Sequence, residues 1–388
     1  MIDNLIVKSL GDTDMYKFSM GNCVWQNYPD ATATYEFVCR GHEKLGFLAE
    51  PLKRQVQMIR ERPHGLREHE FLMGLGWLDR EYLAYMCNDF DYSTTKVDIS
   101  DRDGELHIVA RGRWIDAMMW EIPILATVNE LWFDSMKSKV GDFGTTRLRE
   151  KMAFFRQYPR FQFADFGTRR RFSAEWQESV VSTLATQMQG QFIGTSNVGL
   201  ACKLGLKPIG TMAHEFISAH LALCPRIEVA QSKALYTWLQ TYKTNLGIAL
   251  SDTFTSEAFF RGFDIVLSKA FSGVRQDSGD PFSFAKRAIE HYESMGIDPR
   301  TKTIVFSDSL TPERAIDIWK QFVGRIGVSF GIGTNLTNDM GVKPLSIVMK
   351  MIECNGKPVC KISDDGGKAI SGSPGVMRDV ISAYKIKG

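Results

Sequence analysis

The sequence predicts an α/β protein: an irregular, incomplete β/α barrel joined to an additional antiparallel α+β domain. Three observations predict it. From about residue 160 short apolar runs end repeatedly in polar or glycine residues and most lead into a helical pattern, the rhythm of strands alternating with helices. The first third shows strands joined by a tight turn at Asp103-Gly104. A second turn of that kind, Asn355-Gly356, lies near the C-terminus, so the tail is expected to return to the antiparallel region. The expected division puts residues 1–140 and the returning segment 344–388 in the α+β domain and residues 141–343 in the barrel-like domain. An open doubly wound sheet is the structural alternative.

In chain order, Asp12 or Thr13 is placed to cap a helix carrying Met15, Phe18, Asn22 and Trp25 on one side, which Tyr28-Pro29 ends. TYEFVCR, residues 34 to 40, alternates Tyr35, Phe37 and Cys39 with Glu36, Val38 and Arg40, an imperfect period of two that predicts a strand. Val97 and Ile99 then face Leu106, Ile108 and Ala110 across the Asp103-Gly104 turn. The richest apolar stretch, Trp114 to Val128, is broken by Asp116, Glu121 and Pro123, too short and too charged for a membrane span, and reads as core. Seven strand ends follow: Asp165, Gly194-Thr195-Ser196, Thr211, Ser251-Asp252, Arg275-Gln276-Asp277, Ser307-Asp308 and Gly331-Ile332-Gly333. In a β/α barrel the carboxyl ends of the strands share one face, which gathers chemistry from positions more than a hundred residues apart. Pro344 to Glu353 and Lys357 to Ser363 complete the chain as strands around Asn355-Gly356.

Composition narrows the function. With 47 Lys and Arg against 45 Asp and Glu, no whole-molecule field marks a nucleic-acid binder, so any anion site must be local. The seven cysteines are scattered, with no pair at metal-ligand spacing, and imply a reduced, cytoplasmic protein. The opening MIDNLIVKSLGDTD carries no pattern of an export signal, and no membrane partner is expected.

Five clusters carry chemistry. Three arginines close FADFGTRRR (163 to 171), and their forks match phosphate or carboxylate oxygens; a solvated basic turn is the alternative. In GTSN (194 to 197) the glycine permits close backbone approach, and Thr195 and Ser196 offer hydroxyl donors to a ligand. His214 in GTMAHE follows a short apolar run; an imidazole can accept a phosphoryl group or shuttle a proton, though a lone histidine also serves structure. His220, six residues on, is not the i+4 partner of a helical metal pair, which removes a zinc reading. SGVRQDSGDP (272 to 281) sets Arg275, Asp277 and Asp280 ahead of a helix-starting Pro281, offering a cation for phosphates and carboxylates for ribose hydroxyls or Mg²⁺. FGIGTNL (330 to 336) supplies glycines and a threonine that suit a phosphate cradle.

These strings, together with DTDMYKFSMG (12 to 21), KPIGTMAHE, LSDTFTS and FSDSL and in this order, resemble the nicotinate phosphoribosyltransferase (NAPRTase) family almost end to end. The resemblance implies a type II phosphoribosyltransferase-like architecture and a homodimer with active sites near the subunit interface. It implies formation of nicotinate mononucleotide and pyrophosphate from nicotinate and phosphoribosyl pyrophosphate, in NAD biosynthesis, with ATP as co-substrate and Mg²⁺ as cofactor. Carried over by motif, His214 is the residue phosphorylated from ATP. Arg169, Ser196 and Thr195 belong to the pyridine site, with Phe166 as a ring neighbour and Tyr16 matching a stacking tyrosine from the other subunit. Asp252, Arg275 and Asp277 fall in the phosphoribosyl and pyrophosphate region, and Asp308, Gly331, Gly333 and Thr334 in the part that holds the ribose and its 5'-phosphate. The metal ligands are not assigned. The rival readings are a nicotinamide phosphoribosyltransferase and a non-catalytic barrel that binds a phosphorylated sugar.

Overall fold

The computed structural model describes residues 4–62, 65–136 and 143–386, so the expected domain border at residues 140 and 141 lies outside the described residues. Two sheets organise the chain. The antiparallel sheet is built from β1 (Thr32–Cys39), β2 (Lys96–Arg102), β3 (Glu105–Arg113) and two strands from the far end of the chain. β1 buries Tyr35 and Phe37 and leaves Glu36 half-buried between them, as alternation predicts for a sheet with one covered face. β2 and β3 pair in the expected register, Val97 opposite Ala110 and Ile99 opposite Ile108. Asp103 and Gly104 both take positive φ (53° and 81°), the backbone twist of a two-residue turn that matches the strands it joins.

The second sheet is parallel. Its strands are β4 (Phe163–Asp165), β5 (Phe192–Thr195), β6 (Ile248–Leu250), β7 (Gly273–Gln276), β8 (Thr303–Phe306) and β9 (Gly327–Ile332). Their order is β5-β4-β9-β8-β7-β6, so the first strand, β4, pairs with the last, β9. Sequence neighbours are sheet neighbours everywhere except at the break between β5 and β6. That circular order is the connectivity of a β/α barrel and not of a doubly wound sheet.

The barrel does not close, and the reason is local. Of the seven strand ends expected from sequence, the one before Thr211 has no strand behind it. Pro208 makes a single parallel bridge to Thr195, and Ile209 N–H donates to the Thr195 carbonyl at 2.9 Å. On the other side Thr211 Oγ1 donates to the Ile248 carbonyl at 3.0 Å. A proline has no N–H to give a ladder, so this segment spans the gap between the two edge strands without becoming a strand itself.

The tail contributes β10 (Ile347–Cys354), β11 (Lys357–Pro358), β12 (Cys360–Lys361) and β13 (Ile370–Ser371). β10 inserts between β11 and β1, with Met349 opposite Phe37. The residues after it cross to the parallel sheet, where Ile362 N–H donates to the Thr253 carbonyl at 2.9 Å. The apolar stretch expected to be core is core: Trp114, Met118 and Trp120 are fully buried, and the helix Glu121–Ser135 buries every residue from Glu121 to Leu131. No helix among the described residues is long and apolar enough to cross a membrane.

Candidate active site

A cavity of about 340 Å³ opens where the carboxyl ends of the parallel strands face β10. His214, Ser196, Arg275 and Gly333, which lie up to 137 positions apart, all line it. So do Tyr16, Phe166, Arg169, Asp277, Asp308 and Thr334. Three residues expected in the site do not. Thr195 is fully buried beneath it and gives its hydroxyl proton to Asp165 Oδ2 at 2.7 Å. Gly331 lies against Phe166, where a Cβ would overlap the ring, so its role is to seat that aromatic wall. Asp252 is fully buried behind His214, accepting from Ser278 Oγ at 2.5 Å, and does not itself line the cavity.

The elements explain the placement. The helix Met15–Asn27 starts after Asp14, whose side chain makes no cap to its own helix. That carboxylate instead accepts from Ser196 Oγ at 2.6 Å, while Met15 N–H donates to the Ser196 carbonyl at 2.7 Å. The cap position thus falls one past the expected cap Thr13 and two past Asp12. Asp12 does other work, binding Arg171 at 2.6 Å, and Arg171 also holds Glu130 at 2.8 Å. Of the three consecutive arginines the third is therefore a buried tie, and Arg169 and Arg170 reach the cavity. The glycine of GTSN approaches backbone and not a ligand: Gly194 (φ +145°) lies so close to the Lys207 carbonyl that a Cβ would overlap it. The helix Pro281–Ser294 starts as expected, with Asp280 Oδ2 accepting from Ser283 N–H at 2.8 Å.

His214 begins the helix His214–Leu223 and is buried. Nδ1 lies 3.0 Å from Thr253 Oγ1, and Nε2 lies 3.1 Å from Asp277 Oδ2 and 2.8 Å from Lys361 Nζ. Burial, and then the Lys361 charge, push its pKa down to about 4, so the imidazole is neutral at physiological pH. Asp277 resists its own burial: the Arg275 guanidinium at 3.3 Å holds its carboxyl well below the usual carboxylate range. Asp308 pairs with Lys368 at 2.6 Å.

On the opposite wall a buried Lys17 bridges Glu121 (2.6 Å) and Glu215 (3.0 Å), and Arg169 stands 3.7 Å from Glu121. Tyr16 lines this cavity within its own chain, its hydroxyl donating to Glu121 Oε2 at 3.3 Å.

Sequence reasoning missed Lys350, Lys361, Lys368 and Arg40, all of which line the cavity. Lys350 projects from β10, and burial, then Lys361 and Arg169, push its pKa down to about 7. A lysine inside the apolar run SIVMKMI was the available signal, since an isolated charge in a buried strand needs a reason. Among the described residues no group of three His, Cys, Asp or Glu side chains is placed to hold a metal ion.

The family model for the nicotinate phosphoribosyltransferase (NAPRTase) family matches residues 161–387, and the model for the N-terminal domain of that family matches residues 12–129. The chain is 40% identical over 395 residues to a nicotinate phosphoribosyltransferase of Salmonella heidelberg (strain SL476), covering 98% of this chain and 96% of the relative. Over 389 residues it is 40% identical to the enzyme of that name from Yersinia enterocolitica, with the same coverage. Among solved structures, nicotinate phosphoribosyltransferase from Porphyromonas gingivalis superposes with a TM-score of 0.91 at 37% identity, covering 98% of this chain and 100% of that one. The Vibrio cholerae structure of that name gives 0.92 at 32% identity, covering 100% and 96%.

Proposed function

The chain belongs to the nicotinate phosphoribosyltransferase family, and from that premise we propose how its residues join nicotinate to the phosphoribosyl group of phosphoribosyl pyrophosphate with ATP as co-substrate. The observation that carries the reading is the meeting of His214, Ser196, Arg275 and Gly333 at one cavity. The pyridine nitrogen of nicotinate is already a nucleophile, so the protein supplies no covalent one. It aligns the ring with the anomeric carbon and stabilises the charge that develops as pyrophosphate departs.

Phe166 and Tyr16 offer aromatic walls for the ring, and Arg169 offers a cation for its carboxylate. Arg275 faces the leaving pyrophosphate. Asp277, held ionised by Arg275 beside it, stabilises the positive charge on the ribose. Gly333 and Thr334 receive the 5'-phosphate, and Asp308 the ribose hydroxyls. Among the described residues the side chains form no cage for a metal ion, so Mg²⁺ would be carried in on phosphate oxygens; bound there it would neutralise charge on the diphosphate, with Asp308 the carboxylate facing that space.

His214, neutral and buried at the cavity wall, takes the phosphoryl group of ATP. The added negative charge and acceptor oxygens then alter how the cations around it hold the sugar substrate, which couples ATP use to binding and not to the chemistry on nicotinate. A homodimer in a cytoplasmic setting completes the proposal; the free thiols of all seven cysteines fit the latter. The product places the reaction in NAD salvage.

One assay tests substrate, reaction and coupling together: mononucleotide formed from nicotinate and phosphoribosyl pyrophosphate, with and without ATP, and with nicotinamide in direct competition. Nicotinate should win, ATP should stimulate, and His214→Gln should lose both the stimulation and the phosphoenzyme while retaining slow turnover without ATP. Preference for nicotinamide, or full ATP stimulation in His214→Gln, would refute the corresponding part.

A further inference from the structure

The roles above leave Lys361 unused. It sits on β12, its side chain 6% exposed, with Nζ 2.8 Å from His214 Nε2 and 3.6 Å from Asp252 Oδ2. Three segments bring charge to the imidazole: β12 with Lys361, the loop after β6 with Asp252, and the end of β7 with Asp277 and its partner Arg275. Glu215, the next residue, is turned away onto Lys17. Nε2 is the nitrogen on the cavity side, since its neighbours Lys361 and Asp277 line the cavity whereas Thr253, beside Nδ1, does not.

A ring nitrogen can accept from an amine N–H only through an unprotonated lone pair. The Lys361 contact therefore requires the proton on Nδ1, where Thr253 Oγ1 at 3.0 Å can accept it. The other tautomer would give Nε2–H to Asp277 at 3.1 Å, but it would also press that N–H against an ammonium at 2.8 Å.

Resting on the phosphohistidine reading, we propose that Lys361 is a positioning residue for His214: it fixes the tautomer that presents an unprotonated Nε2 to the cavity, then neutralises the phosphoryl group which that nitrogen accepts from a nucleoside triphosphate. In the step, the Nε2 lone pair forms the N–P bond as the bond from the γ-phosphorus to its bridging oxygen breaks. That electron pair leaves with the nucleoside diphosphate, and the Nδ1 proton stays against Thr253. Lys361 moves its hydrogen bond from Nε2 to a phosphoryl oxygen. Asp252, behind it, keeps the ammonium anchored through the exchange, its Oδ2 3.6 Å from Nζ.

The test is transfer of radiolabelled γ-phosphate from ATP to the full chain across pH, in the wild type, Lys361→Met and Lys361→Arg. Lys361→Met should cut labelling about tenfold or more at neutral pH and move the acid limb upward by about one unit or more, because a like charge that keeps the imidazole neutral is gone. Lys361→Arg should recover part of the labelling and keep the wild-type acid limb. Lys361→Gln, with a donor but no charge, stands in if the methionine variant does not fold, and its acid limb should move the same way. An unmoved acid limb in the uncharged variants overturns the proposal, whether labelling is normal or reduced, because a lysine that only supports the fold does not set a titration. Absence of label in the wild type, or undiminished label in His214→Gln, instead brings down the phosphohistidine reading, and the Lys361 proposal with it.

Discussion

Ser196 donates its hydroxyl proton to Asp14 Oδ1 at 2.6 Å, so toward the cavity it presents oxygen lone pairs and no proton. The sequence reading had it donating to the ligand; the structure gives that donor to a buried carboxylate that no local pattern tied to it. Nicotinate's own carboxylate must then be met by a cation, and Arg169 on the same wall is placed to do so. Ser196→Asp tests the assignment. The new carboxylate would stand beside Asp14, whose pKa burial already raises, and two unit charges about 4 Å apart repel by roughly 4 kcal/mol at an effective dielectric near 20. Steady-state kinetics should show KM for nicotinate rising by about tenfold or more, with a much smaller change for phosphoribosyl pyrophosphate. Equal rises for both substrates would remove Ser196 from the ring site.

The segment from Lys207 to Thr211 is where the reading of elements met its limit. Its apolar run and glycine give the composition of a strand end, and composition cannot say whether neighbouring strands stand close enough to pair on both sides. Pro208 was visible but ambiguous, since proline is tolerated at a strand's edge. The long elements were legible because each repeats one period over many residues, as with β2 and β3, and because Asp103-Gly104 and Asp280-Pro281 have few alternative conformations. The bridge to Thr195 that holds this segment is possible only because Gly194, at a φ of +145° that a side chain rarely adopts, leaves room for the Lys207 carbonyl. Gly194→Ala should therefore lower stability by about 2 kcal/mol or more, through backbone strain and the forced separation of the two chains. The change should appear as a lower melting temperature together with weakened binding of nicotinate, since Ser196 lies two residues on. A wild-type melting temperature in that variant would mean that the bridge between Thr195 and Pro208 does not brace the open side of the barrel.

At the scale of the whole molecule the site is a meeting of two sheets, and this decided which of its residues could be read. His214, Ser196, Arg275 and Gly333 follow or end apolar runs, so the expectation of a barrel alone sends them to one face. Lys350, Lys361 and Lys368 come from the tail, and their direction depends on how β10 registers against β1, more than three hundred positions away, which no local window contains. These lysines change the electrostatics of the cavity: seven lysines and arginines line it against five carboxylates. By formal charge that excess equals the net charge of +2 carried by the entire chain, so the rest of the molecule carries no net charge and attraction for anions is a local property. Local attraction between partly exposed charges is screened over about 8 to 10 Å at ordinary ionic strength. The substrate with several phosphate charges should feel screening more than the one with a single carboxylate. Raising ionic strength from about 0.05 to 0.5 M should therefore increase KM for phosphoribosyl pyrophosphate several-fold and shift KM for nicotinate much less. The two curves, measured with the other substrate saturating, should diverge steadily; parallel curves would mean that the excess cations of the tail face away from the phosphates.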